Sequence, residues 1–107
     1  MNKSLNYLGI ARRAGYLISG TDAVIASIQT KKEGKAKLVI IANDASLLTK
    51  EKIINKCHFY EIEYLDTFNT VEMANAAGLE NPKVLAITDE GIANQIKKLE
   101  RGGLRWR

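Results

Sequence analysis

Five consecutive apolar residues, Leu38-Val39-Ile40-Ile41-Ala42, stand near the middle of a chain of 107 residues. Side chains of a strand alternate between its two faces, so a run that is apolar at every position needs cover on both. It therefore predicts a central strand with helices above and below. Each large side chain in it contributes roughly 1.5–3 kcal/mol when fully buried.

The residues before the run supply such cover. Tyr16-Leu17-Ile18 reads as a short strand, and Ser19-Gly20-Thr21-Asp22 as a turn and helix start. Gly20 can take backbone angles closed to other residues, and Thr21 or Asp22 can cap the following helix. Thr21, Val24, Ile25 and Ile28 share a helical face. The polar run Lys31–Lys37 then returns the chain to the central strand.

The same pattern extends outward. Ser4 to Ala14 predicts a first helix capped by Ser4, with Leu5, Leu8 and Ala11 inward and Gly15 as its stop. Asn43-Asp44-Ala45-Ser46 is a turn. Ser46 caps a helix to about Phe59, with Ile53, Ile54 and Cys57 inward. Ile62, Tyr64 and Leu65 give a third strand. Thr70 caps a short helix carrying Val71, Met73, Ala74 and Ala77, which Gly78 ends. Leu79-Glu80-Asn81-Pro82 turns into a fourth strand, Val84–Ile87. Asp89 caps a last helix with Ile92, Ile96 and Leu99 inward. Strands alternating with helices predict a three-layer α/β/α sandwich with a mixed sheet of about four strands. Residues 1–101 form one domain, and 102–107 a basic tail.

Charge narrows the function. Lys and Arg number 16 against 12 acids, a net +4 that favours an anionic partner, most often nucleic acid. The cations cluster at Arg12-Arg13, Lys31-Lys32-Lys35-Lys37 and Lys97-Lys98-Arg101-Arg105-Arg107, so one face can be strongly positive. No apolar stretch is long enough to cross a membrane, and the opening residues lack the apolar core of a signal peptide. One cysteine excludes an internal disulfide framework and fits a reducing cytoplasm.

Each candidate group has a plain structural counterpart. The backbone N–H groups after Gly20 can hold a phosphate, or Thr21 and Asp22 can simply cap the helix. Arg12 and Arg13 end a helix, where its dipole favours cations in any case. The lysine run is either a solvated loop or a row of phosphate contacts. Leu79 and Pro82 either stack on splayed bases or anchor their loop in the core. Trp106, between Arg105 and Arg107, suits single-stranded nucleic acid, although a frayed or folded-back tail is the preferred reading. Asp44, Asp66 and Asp89 all follow predicted strands. Carboxylates there can hold Mg²⁺, but such residues more often form turns and caps. Cys57 and His58 are adjacent on a helix and point apart, so they make no ligand or nucleophile–base pair. With no phosphate-binding loop and no dinucleotide fingerprint, no cofactor, metal or catalytic residue is expected.

Three segments, SGTDAVIASI (19–28), KLVIIANDAS (37–46) and EMANAAGLENPKVLAITDEGIA (72–93), together resemble the ribosomal-protein superfamily that binds kink-turn RNA, of L-seven-Ae and L-thirty-e type. The opening LGIARRAG is similar to its small bacterial YlxQ-like branch. The resemblance covers nearly the whole chain and implies that RNA is held by loops at one end of the sandwich. It points to Gly20, Thr21 and Asp22, to Asn43, and to Leu79, Glu80, Asn81 and Lys83 as the near surface. Arg12, Arg13 and Lys37 would give electrostatic support. The family's first loop usually carries Asn-Glu, with a Lys three residues later; here Asp22, Ala23 and Ala26 replace them. An amide donor, a carboxylate acceptor and a charge used in base readout are therefore missing. The expected function is non-enzymatic, ribosomal-protein-like binding of a structured RNA such as a kink-turn, in the cytoplasm. The alternative is a protein-interaction module of the translation machinery, contacting the ribosome or translation factors.

Overall fold

The computed structural model describes residues 2–105, and Trp106 of the sequence reading lies outside them. The element order is α1 (Lys3–Ala14), β1 (Leu17–Ser19), α2 (Thr21–Gln29), β2 (Leu38–Ile41), α3 (Leu47–Tyr60), β3 (Tyr64–Leu65), α4 (Thr70–Ala77), β4 (Val84–Ile87) and α5 (Glu90–Leu99). A short 3₁₀ turn, Arg101–Gly103, follows. The four strands form one mixed sheet in the order β1-β4-β2-β3. β4 runs antiparallel to both β1 and β2, while β2 and β3 are parallel. The apolar run is thus an interior strand, and all four residues of β2 are buried. Helices α1, α4 and α5 pack together in one layer, and α2 packs on α3 in the other. Between them lies a core built on Leu8, Ile28, Ile40, Ile53, Leu85 and Ile96.

Two helix starts differ from expectation, for one reason. α1 is capped by Asn2, whose side chain accepts from Ser4 N and Leu5 N. Ser4 is buried inside the helix and donates its hydroxyl to Glu100 at 2.6 Å. α4 is capped by Asn69, which forms a reciprocal capping box with Glu72. Thr70 lies inside that helix and bonds Asp44 instead. In both pairs a neighbouring Asn takes the cap because the hydroxyl has a distant partner. Ser46 and Asp89 cap α3 and α5 as expected. Leu99, expected inward, is exposed, and so is Val71 at the start of α4. The backbone of Arg105 bridges to that of Tyr64 in both directions, at 2.8 and 2.9 Å, so Arg105 is tied to the edge strand β3. Among the described residues no helix is long and apolar enough to cross a membrane.

Candidate nucleic-acid interface

Strand direction decides which connections meet. The end of β1, the end of β2, the end of β3 and the start of β4 all lie at one end of the sheet. Gly20 N–H donates to Val84 O at 3.1 Å, and Ala42 N–H to Lys83 O at 2.8 Å. Asn43 N–H donates to Phe68 O at 2.8 Å, and the Asn43 side-chain amide to Thr67 O at 3.1 Å. Four connections are therefore laced together: 19–21, 42–46, 66–69 and 78–83.

The N terminus of α2 is the distinctive part. Gly20 sits at φ 103° and ψ 145°, angles closed to residues with a side chain. The expected cap from Thr21 or Asp22 is absent, and no side chain caps this helix. Its first-turn N–H groups are left for solvent or a ligand, at the positive end of the helix dipole. Asp22 is exposed on that turn, as are Ala23 and Ala26, so this face carries neither the acceptor nor the cation of the usual family loop.

A charge-linked network underlies the site. The Asp44 carboxylate accepts from Thr70 N–H at 2.9 Å and Thr70 Oγ1 at 2.7 Å. Lys83 Nζ donates to the same hydroxyl at 3.0 Å. Chiefly through the Thr70 hydroxyl, and further through backbone N–H bonds and the Lys83 charge, the Asp44 carboxyl is held below the usual carboxylate range, with desolvation opposing. Lys50 Nζ donates to Asn43 O at 2.6 Å. Lys50 and Lys83 are thus two cations built into this end. Lys50 and the 66–69 connection were missed in the sequence, although strand alternation alone places the residues after β3 beside those after β2.

In the α4–β4 connection Leu79 packs half-buried against the core, and Pro82 is buried, so both anchor the loop. Glu80 and Asn81 are exposed, and Asn81 takes a left-handed φ of 50°. Arg12 reaches this loop from α1. Its guanidinium donates to Ala77 O at 3.1 Å and Gly78 O at 2.6 Å, at the C terminus of α4. Arg13 is exposed beside it, and both line a cleft of about 460 Å³ between α1 and α4.

Lys37 does not join this group. Its N–H donates to Ile87 O at 2.7 Å, at the far end of β4. Lys37 and Asn43 flank the same strand, which separates them by about 20 Å at ~3.3 Å per residue. The three strand-end carboxylates do not gather either. Asp44 bonds Thr70, Asp66 pairs with Arg105 at 3.4 Å, and Asp89 caps α5 at the opposite end of the sheet. Among the described residues no group of three metal-ligating side chains is assembled. Cys57 is buried, and desolvation raises its thiol to about 12.

Residues 2–97 match the family model of ribosomal proteins L7Ae/L30e/S12e/Gadd45. The chain is 40% identical over 100 residues to the RNA-binding protein YlxQ of Enterococcus faecium, covering 94% of this chain and 93% of that one. It is 37% identical over 92 residues to the RNA-binding protein YlxQ of Bacillus subtilis (strain 168), covering 86% and 89%. A solved structure of a protein of unknown function from Bacillus halodurans C superposes with a TM-score of 0.85 at 31% identity, over 92% of this chain and 97% of that one. The Giardia lamblia 15.5kD RNA binding protein superposes with a TM-score of 0.74 at 19% identity, over 92% and 82%, a likeness of fold.

Proposed function

Because the chain belongs to the ribosomal protein L7Ae/L30e/S12e/Gadd45 family, we propose that it is a non-enzymatic RNA-binding protein of the cytoplasm whose ligand is a structured, sharply bent RNA of kink-turn type. The observation that carries this reading is the uncapped N terminus of α2 beside Asn43 and the Glu80-Asn81 loop at one end of the sheet. Backbone N–H groups and the amides of Asn43 and Asn81 supply donors to phosphates and base edges. Lys50 and Lys83 supply positive charge, and Arg12 and Arg13 flank the second loop. Without the family's usual Glu and Lys on α2, recognition rests on the bent shape of the RNA more than on base edges. The names of the YlxQ relatives agree with RNA as the partner.

The salt dependence of binding tests the assignment of residues. Removing a lysine that touches phosphate lowers the slope of log K against log salt by about 1. Lys83→Ala and Lys50→Ala each produce that change on a compact bent RNA, whereas Lys37→Ala does not. Equal effects from Lys83 and Lys37 would remove the assignment to this end.

A second reading, contact with a protein of the translation machinery, is favoured by one feature. Leu47 and Leu48 at the start of α3 are 71% and 77% exposed, and Val71 at the start of α4 is 65% exposed. These apolar side chains follow closely on Asp44 and Thr70 in the chain, so a protein seated there would meet the RNA end as well.

A further inference from the structure

The opposite end of the sheet carries a second basic surface, separate from the one proposed for bent RNA. Three neighbouring strands deliver it. Tyr16 precedes β1, Thr88 follows β4 and Lys37 precedes β2. The Tyr16 carbonyl accepts from Thr88 N–H at 3.0 Å and from the Thr88 hydroxyl at 3.3 Å, and Tyr16 N–H donates to Ala11 O at 2.8 Å. The backbone of Tyr16 is thus fixed from both sides while its side chain stays 43% exposed. Beside it the β2 approach folds over to form a cleft of about 470 Å³, lined by Tyr16, Lys32, Lys35, Lys37 and Thr88, with Glu33 as its one acid.

The lysines here have different duties. Lys35 Nζ donates to Ile28 O at 2.6 Å at the end of α2 and lies 5.6 Å from the centre of the Tyr60 ring. It holds the turn in shape. Lys31, Lys32 and Lys37 are exposed, and neither ion pair found among the described residues involves them. Asp89, the nearest acid in sequence to Thr88, is turned to cap α5. The surface therefore holds uncommitted positive charge next to a half-open aromatic ring carried on a fixed backbone. That combination suits a phosphodiester backbone with an unpaired base stacked on the ring. A duplex would offer phosphates but no free base face.

We infer that the cleft between Tyr16 and Lys32–Lys37 is a second RNA site, which takes a single-stranded segment. Lys32 and Lys37 hold its phosphates and Tyr16 stacks a base. The two sites lie at opposite ends of a molecule whose dimensions are 33 × 29 × 27 Å. One copy can therefore hold a bent element and a single-stranded segment together, from one RNA or from two.

The test is a titration of the isotope-labelled full chain with oligouridylate of about twelve nucleotides, within the range one small domain can cover, at low salt. Amide shifts are expected at Gly15, Tyr16, residues 32–37 and Thr88. Lys32→Glu with Lys37→Glu, both exposed and outside the core, should weaken binding about tenfold or more. Tyr16→Ala should weaken it several-fold, and Tyr16→Phe should restore it, which a charge-only surface would not show. Shifts confined to the Gly20–Asn43–Asn81 end, no binding at low salt, or indifference to Tyr16→Ala would each overturn the inference. Because the oligouridylate has no bend, these results are independent of the bent-RNA titration at the other end.

Discussion

The Asp44 carboxylate accepts two hydrogen bonds from one residue, Thr70, at 2.9 Å from its N–H and 2.7 Å from its hydroxyl. This joins the turn after β2 to the start of α4, 26 residues along the chain. Lys83 donates to the same hydroxyl, so the start of β4 is held as well. Three of the connections that make the proposed RNA surface therefore share one network, and its geometry exists before RNA arrives.

The network makes stability depend on pH in a defined direction. The folded pKa of Asp44 is depressed below the ordinary value of 3.8. The stabilisation is thus complete above that value and is lost as pH falls through the lower, folded value. Asp44→Asn, which mimics the protonated form, should lower the urea midpoint at pH 7. The difference from the parent chain should shrink as pH drops below about 3.8. A difference that stays constant with pH would mean the charge plays no part.

Gly20 should tolerate no side chain, for reasons of backbone and not of space. A Cβ built there meets nothing within 4 Å, but φ is 103°. Gly20→Ala should cost about 1–3 kcal/mol, read by denaturant unfolding. It should also weaken bent-RNA binding, because relief of the strain would move the first turn of α2. An unchanged midpoint would contradict the assigned turn.

Arg12 and Gly78 should behave as a coupled pair. Arg12 donates to Gly78 O at 2.6 Å, and a Cβ on Gly78 would lie 2.9 Å from the same guanidinium nitrogen. Gly78 also ends α4 at φ 68°. Arg12→Ala should cost about 1 kcal/mol, at the low end for a charged donor because the contact is exposed. Gly78→Ala should cost about 1 kcal/mol or more. The double variant should cost less than the sum, since the clash disappears with the guanidinium.

Cys57 should be inert in the folded chain. Burial raises its thiol from 9.0 to about 12. Labelling by a thiol reagent at pH 8 should therefore follow unfolding and stop when the protein is fully folded. Folding keeps the thiol neutral, so its contribution declines as pH rises above about 9 towards 12. Rapid labelling in native buffer would contradict the burial.

Much of this architecture is legible in the chain because local signals agree. The both-faces apolar run sets the central strand, and Ser46, Asp89, Gly15 and Gly78 mark helix ends where the structure has them. The starts of α1 and α4 were misplaced by a residue or two because Ser4 and Thr70 are good caps in isolation. Only their distant partners, Glu100 and Asp44, take them out of that role. The grouping of charge was misread for a different reason. The sequence suggests Lys37 as electrostatic support for the surface around Asn43, yet residues on either side of a single strand lie at opposite ends of a sheet. That separation was available from the order of elements and the rise of a strand. Which strands are neighbours was not, and neighbouring strands bring Tyr16, Thr88 and Lys37 together.

The most direct test of RNA recognition at the Gly20–Asn43–Asn81 end is a binding titration with three RNAs at low and moderate salt. They are a kink-turn, the same RNA with its tandem G·A pairs replaced, and an unrelated hairpin. Shape readout by uncapped N–H groups and built-in cations predicts tighter binding of the intact kink-turn by about tenfold or more, a preference that survives moderate salt and is reduced by Gly20→Ala. Equal affinity for all three RNAs, falling together as salt rises, would contradict it.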